Sequence, residues 1–364
     1  MIEFKILSKD NSIQNLSDIN ESLEIKFALN NLYSKFETNK KVLHLFYMSD
    51  WDLDKSPILY DLSEYDLVFV DFSASDYLLR YFDIDKLLNC IKAKEVICIT
   101  KNPIERKDSL YIDPLMFRIA DLNFEYSFEN KTNDYFYFGG HGRYHRLKFL
   151  SILKDLNSLN RISWSQRAVS DEDHFRDIIP YEYKDTYKEL SIHTDLPKIL
   201  DIPIVNNDEY HAHFNDNWIT ENAGVKPNLE FPITHFAEII SESVFYYSIN
   251  PTKADNTFLN FSEKTFKPLS LGIPFIGLML PNSFNKMKEY GFKLFDEIFD
   301  YSFDSIIDDD TRMESIVKQI ANNNISEKIL NNKESILEKH NYNKNRFKEF
   351  KKEMLLKYEK SLLR

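Results

Sequence analysis

The feature that most constrains this chain is a regular alternation of short apolar runs with helical or turn-rich spacers. The runs occupy residues 42–47, 67–72, 95–100 and 135–138, and three of them follow spacers of the kind that parallel crossovers require. Strands that alternate with helices are typical of doubly wound α/β sheets with helices on both faces. The first part of the sequence therefore predicts a Rossmann-like domain.

The second part of the chain returns to this alternation after an irregular stretch at residues 161–230. A glycine-rich break at residues 139–142 precedes an amphipathic helix at 143–159 with a leucine stripe, formed by Leu147, Leu150, Leu153 and Leu156. Beyond residue 230 the patterns predict strands at 237–241 and 274–280 and helices at 262–271, 283–290, 309–322, 326–338 and 343–363.

We therefore predict an α/β chain with two Rossmann-like domains. The predicted domains are residues 1–160 and residues 161–340. A C-terminal helix at residues 341–364 is predicted to pack back on the first domain.

The composition of the chain indicates which partners and which cellular compartment to expect. The formal net charge of −12 disfavours charge-driven binding to nucleic acid, which needs a basic surface, although a local basic cleft stays an open alternative. No run of about 18 apolar residues predicts a membrane span, and the first ten residues lack a signal-peptide pattern, so we expect a cytoplasmic protein. Cys90 and Cys98 are too few for a disulfide framework and are interpreted as buried thiols.

The segment with the clearest chemical content is residues 261–268, FSEKTFKP. Ser262 is a favourable N-cap, so the helix after it would begin with free backbone N–H groups beside Lys264 and Lys267. Such a helix start binds anions, and the ammonium groups would offset the charge of a diphosphate without a divalent ion. Glu263 adds a carboxylate that accepts hydrogen bonds from two vicinal hydroxyls, as acidic residues do with ribose. Together these residues predict a nucleoside-diphosphate site.

A plain structural interpretation of the same segment stays open. A capped helix with exposed Glu263 and Lys264 needs no ligand, because an acidic residue near the N-terminus already favours the helix dipole. Pro268 predicts a kink or a later helix start, since proline removes a backbone hydrogen bond inside a helix. Gly272 predicts the C-terminal stop of the helix, and the apolar run after it predicts the next central strand.

Several motifs in order give the second half a resemblance to a known family. Residues 239–320 are similar to the C-terminal half of a family of phage and bacterial glycosyltransferases that resemble fucosyltransferase-like GT-B enzymes. The motifs that carry the resemblance are ISE at 240–242, FSEKTFKP at 261–268, IPFI at 273–276, GFKLFD at 291–296, and DYSFD at 300–304 with Arg312 downstream.

The resemblance extends upstream to RYHR at 143–146, which is similar to an Arg-x-His-Arg motif of these proteins. The Leu-Asn that usually precedes this motif is absent, and FGGH at 138–141 takes its place. Residues before about position 134 lie outside the match and show only the Rossmann-like pattern.

The resemblance implies a GT-B-like fold, in which two Rossmann-like domains face each other across a cleft. The first domain would lie on the acceptor side, and the second would bind the nucleotide sugar. The resemblance also implies that Glu263 contacts the donor ribose and that Lys264 contacts the diphosphate, with Lys267 in support. Arg143 and Arg146 are predicted to hold donor phosphates or an anionic acceptor, and the alternative is that they pair with carboxylates at the interdomain surface.

Glu242 ends a predicted strand, where the ligands of open α/β sheets gather beyond the carboxyl ends. It is predicted to contact the donor sugar, and helix capping or domain packing is the alternative. Residues 291–304 are interpreted as a helix stop, a packed aromatic stretch and a turn, hence as structure rather than chemistry.

An inverting transfer needs a base that takes the proton of the acceptor hydroxyl. Asp50, which follows the predicted strand at 42–47, is the first candidate, and His141 in the glycine-rich loop is the second. Their plain alternatives are a turn former for Asp50 and a hydrogen-bonding loop residue for His141.

Two other patterns suggest a metal. Asp50-Trp51-Asp52 resembles the metal-binding Asp-x-Asp of GT-A glycosyltransferases. His211 and His213 have a spacing compatible with a metal, with Asp208 nearby, but no second cluster completes a ligand set. We therefore predict no metal site.

The predicted function is metal-independent transfer of a hexose from a nucleoside-diphosphate sugar to a glycan or another hydroxyl acceptor, without a cofactor. Two alternatives stay open: a non-catalytic nucleotide or glycan binding module on the same fold, and a phage enzyme that glycosylates a DNA base. Such a protein is expected in the cytoplasm of a bacterium or of a phage-infected cell.

Overall fold

The computed structural model describes residues 2–7, 13–15, 39–47, 59–71, 88–100, 109–111, 116, 124–139, 144–166, 230–242, 245 and 261–362. The chain divides into two units. The first comprises Met1–Arg118, Thr252–Asn260 and Glu349–Arg364, and the second comprises Ile119–Pro251 and Phe261–Lys348. Residues 119–160, which the sequence assigned to the first domain, thus belong to the second unit.

The first unit is built on a mostly parallel sheet. Its described strands are β1 (Ile2–Leu7), β2 (Ile13–Asn15), β3 (Val42–Tyr47), β4 (Tyr60–Asp61), β5 (Leu67–Asp71), β6 (Ile91–Lys92), β7 (Val96–Thr100) and β8 (Ser109–Tyr111). Six of them form a sheet in the order β2-β1-β3-β5-β7-β8, in which only the β1/β2 pair is antiparallel. Strand β5 is buried along its whole length, which explains why it appears in the sequence as a continuous apolar run.

A buried polar cluster lies on this sheet. His44 in β3 and Asp71 at the end of β5 are fully buried, and His44 Nε2 lies 2.8 Å from Asp71 Oδ2. The hydroxyl of Tyr358, from the C-terminal segment of the unit, lies 3.0 Å from His44 Nδ1, and the Tyr358 ring packs on Phe69 with a centroid separation of 5.0 Å. These contacts of Tyr358 join the C-terminal segment to the sheet of the first unit.

The second unit is built on a sheet whose described strands are all parallel, and helices accompany it. Its strands are β9 (Asn133–Gly139), β10 (Ile162–Gln166), β11 (His235–Ser241) and β12 (Phe275–Leu278), in the order β10-β9-β11-β12. Its described helices are α1 (Tyr144–Asp155), α2 (Glu230–Thr234), α3 (Glu263–Leu271), α4 (Ser283–Glu289), α5 (Asp309–Asn322), α6 (Ile325–Asn331) and the beginning of α7 (Lys333–Leu362), which continues into the first unit. The predicted α/β class with parallel sheets is confirmed.

Three sequence predictions about elements were wrong. Helix α1 ends at Asp155 rather than at residue 159, and Asn157, just beyond its end, adopts a positive φ of 50°. Leu156, which the sequence placed in the apolar stripe, is exposed. Residues 333–362 form one helix instead of the predicted pair at 326–338 and 343–363. Strand β10 lies in the stretch that the sequence pattern left irregular. The sequence pattern also predicts helices at residues 171–178 and 183–190, and both lie outside the described residues.

The motif block at residues 291–304 has a structural role, as the sequence predicted. Asp304 is buried, and its carboxylate accepts hydrogen bonds from the backbone N–H groups of Phe284 (3.0 Å) and Asn285 (2.8 Å), so it caps helix α4. The hydroxyl of Tyr301 donates to the carbonyl of Phe275 in β12, at 2.9 Å. Among the described residues, none of the helices has the length and apolar character needed to cross a membrane.

His235 gives the second unit a predicted dependence of stability on pH. It is buried at the start of β11, where Nε2 lies 2.7 Å from Ser163 Oγ and Nδ1 lies 2.9 Å from Thr234 Oγ1. Burial, with a smaller contribution from the nearby Lys131, lowers the pKa of His235 to about 4. The unfolded chain, whose histidine has a pKa near ~6.5, therefore binds more protons than the folded chain between these two values.

We expect this contribution to stability to be lost as the pH falls from ~6.5 to ~4, by up to about 3 kcal/mol in unfolding free energy. Urea unfolding at a series of pH values measures it. His235→Gln, which cannot be protonated in this range, should have a flatter profile between the same pH values. An identical slope for both proteins would contradict the assignment to His235.

Candidate functional site

The candidate site lies at the carboxyl edge of the parallel sheet of the second unit. Strand β11 ends at Ser241, and Glu242 follows it directly. Helix α3 lies between β11 and β12 in the sequence, and these two strands are parallel neighbours, so α3 begins at the edge where β11 ends. In open α/β sheets this edge is where ligands bind.

The start and the end of helix α3 follow the sequence prediction. Ser262 is the N-cap, with φ −133° and ψ −172°, and its Oγ accepts a hydrogen bond from the N–H of Lys264 at 3.3 Å. Gly272 ends the helix in the left-handed region, with φ 63°. The helix begins at Glu263 and runs through Pro268 to Leu271, so the expected later start is wrong.

Glu242 is fully buried against the start of α3. Its carboxylate accepts hydrogen bonds from the backbone N–H of Ser262 at 2.9 Å, from the Ser262 hydroxyl at 2.6 Å and from the Thr265 hydroxyl. A negative charge is stabilised at the N-terminus of a helix, and hydrogen bonds to a carboxylate are stronger than those between neutral groups. Glu242 therefore has the helix-capping role that the sequence left as its alternative, and its carboxylate is enclosed by protein.

Arg146 and His145 hold the backbone from which Glu242 projects. Arg146 is 1% exposed, and it donates to Ser241 Oγ (3.2 Å), to the Ser241 carbonyl (3.0 Å) and to the Glu242 carbonyl (3.3 Å). His145 Nε2 lies 3.1 Å from the same Glu242 carbonyl, and since a carbonyl only accepts, Nε2 carries the proton. Arg146 thus fixes the end of β11. The predicted roles of Arg146, holding phosphate or an anionic acceptor or pairing with carboxylates, stay predictions.

The two lysines of the predicted nucleoside-diphosphate site, Lys264 and Lys267, lie on α3 and are half-buried. Lys264 Nζ lies 3.5 Å from Ser262 Oγ, so the ammonium group stays beside the N-cap. Lys267 lies three residues further, on the same side of the helix. Glu263 is the first residue of the helix, and its side chain lies outside the described part of the structure.

The remaining predicted site residues lie outside the described part of the chain. They are Asp50, His141 and Arg143, together with Asp52, Asp208, His211 and His213 of the two metal-like patterns. Within the described residues, no group of three His, Cys, Asp or Glu side chains is arranged to hold a metal ion.

Arg312 is a buried arginine near the same edge of the sheet, and its structural role was not predicted from the sequence. Arg312 on α5 is 1% exposed, and its guanidinium pairs with Asp309 at 2.5 Å. It also donates to backbone carbonyls, those of Met279 (3.2 Å), Ile306 (2.8 Å), Ile307 (3.2 Å) and Phe245 (2.7 Å). The spacing of three residues between Asp309 and Arg312 predicts that their side chains pair on a helix. The same spacing occurs in exposed pairs, so it does not predict that this pair is buried.

No protein-family model matches this sequence, and no curated protein matches it significantly. Any functional proposal for this chain therefore depends on its own sequence motifs and on the contacts of its described residues.

Proposed function

We propose that the protein is a metal-independent glycosyltransferase of the GT-B type, which transfers a hexose from a nucleoside-diphosphate sugar to a hydroxyl acceptor. The observation that supports this best is the start of helix α3, where Lys264 lies next to the N-cap Ser262 at the carboxyl edge of a parallel sheet. Backbone N–H groups at such a helix start and an ammonium group beside them suit the oxygens of a diphosphate.

In the proposed reaction, α3 and Lys264 stabilise the negative charge that develops on the leaving diphosphate. Fixed donors that point at developing charge lower the barrier, because they need no reorganisation when the bond breaks. Glu263 is proposed to accept hydrogen bonds from the ribose hydroxyls, and Lys267 to support the phosphates from the next turn. The proton of the acceptor hydroxyl would be taken by Asp50 or His141. Arg143 is proposed as a further phosphate or acceptor contact.

Removal of the Lys264 ammonium should weaken nucleotide binding. We expect Lys264→Ala to raise the dissociation constant of the preferred nucleoside diphosphate by about 10- to 100-fold, the value of one hydrogen bond to a charged group. Titration calorimetry with UDP, GDP, ADP and CDP, each with EDTA present, measures the effect and identifies the base.

Lys318→Ala is the matched control, because Lys318 is an exposed lysine on α5 that pairs with Glu314. It removes the same charge and should leave nucleotide affinity unchanged. Equal losses of nucleotide affinity in both variants would indicate a general charge effect and would contradict direct binding of the diphosphate by Lys264. Nucleotide binding without sugar transfer to any acceptor would instead favour the binding-module alternative.

A further inference from the structure

The carboxylate of Glu242 is held by donors from the first turn of one helix. Those that the structure describes are the backbone N–H and the hydroxyl of Ser262 and the hydroxyl of Thr265. Burial of a charged group is costly unless hydrogen bonds replace its water, and here several donors from α3 replace it. The contacts therefore join the end of β11 to the start of α3 across 20 residues of sequence.

The bond from Ser262 to Glu242 sets the direction of the Ser262 hydroxyl. A hydroxyl has one proton, and Ser262 gives it to the carboxylate. Its oxygen then faces the Lys264 N–H at 3.3 Å and the Lys264 ammonium at 3.5 Å as an acceptor. A carboxylate that accepts this proton also strengthens the hydroxyl as an acceptor, because hydrogen bonds in a chain polarise one another.

The other end of Glu242 is fixed as well. Its backbone carbonyl lies 3.3 Å from Arg146 Nη2 and 3.1 Å from His145 Nε2, and both residues are on helix α1. The His145 ring stacks on Phe245, with centroids 5.6 Å apart and an interplanar angle of 20°. Glu242 therefore connects a rigid support to the turn that carries Lys264.

From this chain of contacts we infer that Glu242 is a positioning residue for the nucleotide site. It holds Ser262 and the first turn of α3, and through them it orients Lys264 toward the diphosphate, without touching the donor itself. This inference rests on the proposed function, and it replaces direct contact of Glu242 with the donor sugar.

Glu242→Gln tests the inference with little change in shape. The side-chain oxygen of this variant can still accept from the Ser262 N–H and the Thr265 hydroxyl, but its NH2 group then faces the Ser262 hydroxyl, which donates to the carboxylate in the native protein. We expect the backbone amides in the first turn of α3 to exchange hydrogen at least about tenfold faster, while those of α5 keep their rates. We also expect the dissociation constant for UDP or GDP, whichever the native protein binds, to rise about tenfold. Glu314→Gln, at an exposed position of α5, is the control for loss of one carboxylate.

The double variant Glu242→Gln with Lys264→Ala separates positioning from general damage. If Glu242 acts through Lys264, the double variant binds nucleotide about as weakly as Lys264→Ala alone. Fully additive losses would overturn the inference, and so would unchanged hydrogen exchange in Glu242→Gln. If Glu242→Gln does not fold, Thr265→Val, which removes one donor to the carboxylate, should give the same pattern to a smaller extent.

The two proposals fail in different ways. If the native protein binds none of the nucleotides, the proposed function is wrong, and the positioning role is overturned with it. If the native protein binds a nucleotide and Glu242→Gln binds it equally well, only the positioning role is overturned. Exchange in α3 reports the Glu242 contacts in either case, because it needs no ligand.

Discussion

Gly272→Ala should be among the most destabilising single substitutions in the second unit. Gly272 has a φ of 63°, where a side chain costs about 1–2 kcal/mol. A Cβ at this position would also overlap the backbone carbonyl of His340, which cannot rotate aside as a side chain can. Overpacking of this kind costs a further ~1–3 kcal/mol. We therefore expect a loss of about 2–5 kcal/mol in unfolding free energy by guanidinium titration.

Gly291→Ala is the matched control for the backbone part of this effect. Gly291 also has a positive φ, 86°, but its added Cβ would meet the side chain of Arg346, which is flexible. The cost should stay near the left-handed penalty of about 1–2 kcal/mol. Similar losses of unfolding free energy at both positions would show that overlap of the added Cβ with the His340 carbonyl does not contribute.

Arg312→Met should have an effect of similar size for an electrostatic reason. The variant keeps much of the side-chain volume, but it removes the cation that pairs with the buried carboxylate of Asp309, and it takes a donor from each backbone carbonyl that Arg312 holds. Loss of one partner of a buried ion pair costs about 3–5 kcal/mol. Calorimetric and denaturant unfolding of the variant measure the loss.

Lys318→Met on the same helix is the control, because its pair with Glu314 is exposed and its replacement should change the stability by less than about 0.5 kcal/mol. Arg312→Met combined with Asp309→Leu should recover part of the loss, since the double variant removes both charges of the buried ion pair. A double variant as unstable as Arg312→Met alone would mean that the carbonyl contacts, and not the ion pair, dominate.

The strands and the caps of α3 could be predicted from the sequence because their signals are local. The apolar run at 42–47 has the same bounds as β3, and Ser262 and Gly272 mark the two ends of α3 as N-cap and left-handed stop. These features depend on residues within a few positions of one another. Physical preferences at that range are strong enough to decide the conformation.

Tertiary contacts decided the elements that the sequence did not predict correctly. The predicted break near residues 339–342 is absent, because His340 and Asn343 are buried within a continuous helix. Asn343 bonds to the backbone of Lys293, through Oδ1 at 2.9 Å and Nδ2 at 2.8 Å, and His340 Nδ1 lies 3.2 Å from the Gly272 carbonyl. Asparagine and histidine, which are weak helix formers, are kept in the helix by these distant partners.

The candidate site, like the fold, has features that follow from local sequence and features that depend on tertiary contacts. The FSEKTFKP motif at residues 261–268 was visible in the sequence, whereas the burial of Glu242 and Arg146 depends on partners far away in the chain. Arg146 contacts Ser241 across 95 residues, and no spacing rule links the two positions. Burial also separates a charged residue that supports a site from one that touches a ligand, and a single sequence does not encode burial in a local pattern.

The most direct test of the proposed function is release of nucleoside diphosphate from nucleotide sugars by the protein. UDP-, GDP- and ADP-hexoses would be incubated with the protein and a panel of glycan acceptors, with EDTA in half of the reactions and Lys264→Ala and Lys318→Ala in parallel. The proposed function predicts that one donor is consumed with EDTA present, by the native protein and by Lys318→Ala but much more slowly by Lys264→Ala. Consumption only with a divalent metal, or no consumption of any donor, would contradict it.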